Sequence, residues 1–72
     1  MIEAEVLIDN FKDKENFYKK ISVKRNNKNI YLENELLQKG DIYPITKERF
    51  KYLSSKGIVA KAKKKLKENN DG

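Results

Sequence analysis

The residues of this chain that could do chemistry are carboxylates, lysines, arginines and tyrosines, because it contains neither histidine nor cysteine. That removes the commonest general base, the commonest metal ligand, the thiolate nucleophile and any disulfide framework. Asp9, Asp13 and Glu15 share one polar stretch and could be imagined around a calcium ion. The stretch lacks the glycine and the twelfth-position glutamate of an EF-hand loop. Glu33 and Glu35 point to one side of a strand, about 7 Å apart by strand rise, as a glycosidase pair would. Nothing in the nearby sequence would raise one of their pKa values selectively, and Lys20 is the expected partner of Glu35, so both are read as solvated. Ser54 and Ser55 have no base to activate them. No catalytic, cofactor-binding or metal-binding residue is assigned. The chain is read as non-enzymatic, with no cofactor and no small-molecule ligand.

Binding chemistry is better represented. Arg49 offers a planar donor fork to a partner carboxylate or a phosphate; its plainer role is an ion pair with a carboxylate such as Asp41. Tyr18, Tyr31, Tyr43 and Tyr52 are amphipathic, and rings among lysines are what single-strand binders use for stacking. Tyr43 and Tyr52 fall where packing would use them. Tyr18 and Tyr31 are expected on an outer face and, with Leu37 and Arg49, form the candidate partner contact. Lys20, Lys24, Arg25, Lys28, Lys61, Lys63, Lys64, Lys65 and Lys67 are the candidate phosphate contacts.

Local signals indicate how these residues are positioned. Thr46 is a natural N-cap, with Ile45 and Phe50 at the spacing of a hydrophobic staple. Gly57 sits where a helix enters the left-handed region, and Leu53 and Ile58 are the apolar pair of a Schellman ending. A helix is therefore predicted at about 46–56, with Phe50 and Leu53 inward and Lys47, Lys51 and Ser54 outward. Ile2, Ala4, Val6 and Ile8 alternate with acidic residues as a half-buried strand. Residues 10–16 read as a loop tucking Phe11 inward. Residues 17–25 alternate again, and Asn26-Asn27-Lys28-Asn29 is a turn cluster leading to a partner strand at 30–36. A loop centred on Asn27-Lys28 pairs Arg25 with Ile30, Val23 with Leu32, Lys24 with Tyr31 and Lys20 with Glu35. Gly40-Asp41 is the next turn. Residues 42–45 form a short strand in which Pro44 cannot donate, so it lies at an edge or pairs on one side only. Residues 58–60 form a last strand beside the N-terminal one.

These elements predict a small α+β fold: an antiparallel sheet of four to five strands with one helix packed on it, in a single domain over 1–60. The net charge is +6. Half of that excess lies in residues 61–72, which read as a basic, disordered tail that solubilises the chain or touches a polyanion. No apolar run is long enough to span a membrane, and no signal-peptide core is present, so a cytoplasmic setting is expected.

The order of strand, Phe11-x-Asp13-Lys14, and then Gly40-Asp41-x-Tyr43-x-x-Thr46-x-Glu48-Arg49-x-x-x-Leu53-x-x-x-Gly57-Ile58-Val59 resembles a family of small bacteriophage and prophage proteins. The resemblance is to the N-terminal domains of YqbF-like proteins from Gram-positive prophages. It covers about two-thirds of the chain and departs from the pattern between Lys19 and Gln38, where this chain inserts a hairpin. It implies a phage-derived protein of a head or tail assembly region, in the bacterial host cytoplasm or on the virion. Two functions follow as expectations. One is a structural or accessory module that contacts another protein, or itself, through the hairpin or the Pro44 strand. The other is a small nucleic-acid-binding accessory protein using the hairpin lysines and the tail.

Overall fold

The computed structural model describes residues 1–62. Its elements are β1 (Ile2–Val6), β2 (Ile21–Arg25), β3 (Lys28–Leu32), β4 (Ile42–Ile45), α1 (Lys47–Ser55) and β5 (Val59–Lys61). The strands form one antiparallel sheet in the order β3-β2-β4-β1-β5. The fold is α+β, as the periodicity predicts. One face of the sheet carries Ala4, Val6, Val23, Tyr43, Ile45 and Val59, and α1 adds Leu53 to the same core. Phe11 is also buried there, bridged to Leu37 by backbone hydrogen bonds in both directions at 2.8 Å.

Both ends of α1 form as their sequence dictates. The Thr46 hydroxyl accepts from the Arg49 N–H at 3.1 Å, which satisfies one donor of the open first turn. At the other end Gly57 has φ +75°. The Ile58 N–H donates to the Leu53 carbonyl and the Gly57 N–H to the Ser54 carbonyl, both at 3.0 Å. These are the two hydrogen bonds of a Schellman motif.

The hairpin differs from expectation in register. Arg25 pairs with Lys28, Val23 with Ile30 and Ser22 with Tyr31. Asn26 and Asn27 take φ of 53° and 64°, so a two-residue turn of type I′ closes the hairpin two residues early. A shift of two keeps every side chain on its own face, so hydrophobic alternation cannot distinguish the two registers. Residues 17–20 are turns rather than strand, because the Asp13 carbonyl accepts from the Asn16 and Phe17 N–H groups. β3 stops at Leu32, and Asn34, with φ 61°, turns the chain aside, so the expected Lys20–Glu35 cross-strand pair does not form.

Three further expectations are corrected. Pro44 does not lie on an edge strand. β4 is central, and its pairing with β2 is confined to Lys24↔Ile42, so Pro44 itself faces only Glu3 of β1. Ile8 lies beyond β1 and is exposed. Lys61 belongs to β5, and the buried Ala62 donates its N–H to the Glu3 carbonyl. The sheet therefore runs one residue into the segment read as tail, with Ala62 tied to its end, and the remainder lies outside the described residues.

Candidate functional site

Two aspartates are buried, and each is held by an arginine. The Asp13 carboxylate accepts from the Tyr43 hydroxyl at 2.6 Å, from Arg49 Nη2 at 2.7 Å, from Asn16 Nδ2 at 2.9 Å and from the Glu15 N–H at 3.0 Å. Burial alone would push this carboxyl up, but the hydrogen bonds from Tyr43, Asn16 and Arg49 outweigh it and hold the pKa below the ordinary value. Burial and the neighbouring carboxylate both push the Tyr43 phenol up, which keeps it a neutral donor. Asp41 accepts from Arg25 Nη2 at 2.7 Å and Nε at 2.8 Å, together with the Gln38 N–H at 2.8 Å. Burial raises its pKa and the Arg25 fork lowers it, with a net shift downward.

These bonds reassign several candidates. Arg49 pairs with Asp13 rather than Asp41, with Glu15 as a second carboxylate at 3.7 Å. Its guanidinium is therefore committed inside the fold and is not presented to a partner. Asp13 is likewise withdrawn from any cation site, and no cluster able to hold a metal occurs among the described residues. Leu37, expected at a partner surface, is 2 % exposed because its bridge to Phe11 pins it into the core. Tyr43 is buried as expected. Tyr52 is half-exposed instead of packed, flanked by the Arg49 and Lys56 cations.

A shallow cleft of about 340 Å³ opens beside the start of α1, lined by Glu15, Thr46, Glu48, Arg49 and Tyr52. Two glutamates flank its one arginine, whose charge is already neutralised, so the cleft does not suit an anion.

What remains accessible lies near the hairpin. Tyr31 is 68 % exposed on β3, with the Lys20 ammonium 5.2 Å from its ring centroid. Tyr18 is 67 % exposed, but in the turn before β2 rather than on the hairpin's outer face. It meets Phe17 edge-to-face at 4.9 Å, with Lys12 over both rings. β3 is an outer strand, so one side of its backbone is unpaired within the sheet. The phosphate candidates are dispersed. Arg25 is bound to Asp41, Lys24 and Lys28 project from opposite faces, and Lys61 lies on β5 at the far edge. Lys63, Lys64, Lys65 and Lys67 lie outside the described residues.

The Asp13–Tyr43–Arg49 network was not foreseen. Asp13 lies 30 residues from Tyr43 and 36 from Arg49 in sequence, and no local spacing or alternation links the three. Comparison with family models, with curated proteins and with solved structures gave no match to this chain.

Proposed function

We propose that the chain is a non-enzymatic module that works by protein–protein contact, with the outer strand of its hairpin as the contact. The observation that carries this reading is Tyr31, two-thirds exposed on a strand whose far side has no neighbouring strand among the described residues. An unpaired strand edge is a template for an added strand, and an exposed aromatic beside it supplies a side-chain anchor. In a two-residue hairpin the closing pair is hydrogen-bonded and the pairs alternate. Arg25↔Lys28 is that pair here, so the backbone groups of Asn29 and Tyr31 point outward. The resemblance to prophage proteins makes phage head and tail assembly components the class of partner to search.

The test is a binding screen of such assembly proteins against the wild-type chain, Tyr31→Ala and Asn29→Pro, with the fold of each variant checked by NMR. The reading expects a partner held by the wild type and released by both variants, because Asn29→Pro removes one outward N–H. A partner held equally by all three, or duplex DNA held in preference to any protein, would refute it.

A further inference from the structure

We propose that the face of the sheet opposite α1 pairs with the same face of a second copy, about a two-fold axis lying along β4. The registers set Asn29, Lys24, Ile42, Glu5 and Ala60 side by side in one row across all five strands. The row lies on the face opposite the core, where Lys24 and Asn29 are exposed and Ile42, Glu5 and Ala60 are half-buried. Its order is cation, apolar centre, anion on three adjacent strands. Neither Lys24 nor Glu5 has an ion-pair partner among the described residues.

Such a row is complementary to itself when rotated. A half-turn about an axis along β4 sets Ile42 over Ile42, Lys24 over the partner's glutamate, and Glu5 over the partner's lysine. Both charge pairs form at once, as an isologous interface requires. The β3 edge, which carries Tyr31, then lies over the β5 edge, whose side chain on this face is the small Ala60. A half-turn about an axis across the strands would instead set like charges opposite one another, so the pattern selects the axis as well as the partner. Face-to-face sheets pack with strands nearly aligned, as this axis demands.

The face is small. Five-residue strands and four inter-strand spacings give about 16 by about 19 Å, well under half of the roughly 800 Å² per partner of a standard interface. Association is therefore weak and concentration-dependent. This contact is distinct from the β3 edge, and either can fail without the other.

The experiment is analytical ultracentrifugation of the full chain, of Lys24→Glu, of Glu5→Lys, and of the two variants mixed in equal amounts, each up to millimolar concentration. The wild type is expected to dimerise at the upper end and each variant to remain monomeric. The mixture is expected to associate again, because each new charge meets its complement on the other variant. That recovery also excludes misfolding as the cause of the single losses. A wild type monomeric at millimolar concentration, single variants that dimerise as the wild type does, or a mixture that stays monomeric would each overturn the proposal.

Discussion

Asp13, Tyr43 and Arg49 meet through contacts of 2.6 and 2.7 Å, tying the loop after β1 to the central strand β4 and to the first turn of α1. Removing one partner of a buried ion pair leaves the other charge without compensation, at a cost of about 3–5 kcal/mol. Asp13→Asn should therefore lose stability on that scale. For a domain this small, with roughly 0.05–0.15 kcal/mol per residue, that is a large share of what it has. The sign of the pH dependence follows from the lowered pKa values of Asp13 and Asp41. The stabilisation is present above the ordinary aspartate value of about 3.9 and is lost as pH falls below it through the folded-state values. Urea midpoints measured from pH 7 to 2 should hold until about pH 4–5 and then fall. The fall should be shallower in Asp13→Asn. An unchanged slope in that variant would show that the buried carboxylate does not drive acid unfolding.

The hairpin and the helix are stopped by residues that can take a conformation their neighbours avoid. Asn26 and Asn27 close the hairpin, Asn34 ends its return strand and Gly57 ends the helix, all at positive φ. At Gly57 nothing lies within 4 Å of where a Cβ would stand, so Gly57→Ala meets no clash and bears only the backbone cost of the left-handed region, about 1 kcal/mol. A loss beyond 3 kcal/mol in urea unfolding would reveal a packing role for Gly57 that the geometry does not show. The same rules explain the hairpin. Two consecutive asparagines able to adopt φ > 0 make the shorter loop available, and the two-residue turn then matches the twist of the strands.

Among the described residues, the basic side chains do not gather into one contiguous surface. β3 and β5 are the two edges of the sheet, about 19 Å apart by strand spacing, and the basic residues divide between them and between the two faces. Arg25 adds little to such a surface, since Asp41 holds two of its three guanidinium nitrogens. An NMR titration with a short DNA duplex should therefore shift no contiguous set among Lys20, Lys24 and Lys28 that survives moderate salt. Persistent shifts there would restore the nucleic-acid reading, because binding through several phosphates weakens steeply but continuously with salt. Among the described residues no helix is long and apolar enough to cross a membrane.

The sequence alone determined the local features. Thr46 and Gly57 bound α1, Phe11 turns inward, and the last strand lies beside the first. Each rests on interactions within a few residues or on an alternation that only one face can satisfy. The tertiary structure decided what depends on groups distant in sequence. It chose the register, because a two-residue slip leaves the apolar pattern intact. It placed β4 at the centre of the sheet despite Pro44, because pairing with β2 ends before the missing N–H would be needed. It also paired Arg49 with Asp13 and Arg25 with Asp41, and sealed Leu37 inside. Carboxylates and arginines are interchangeable in sequence, and only the closing of the chain brings one particular pair within 3 Å and out of water.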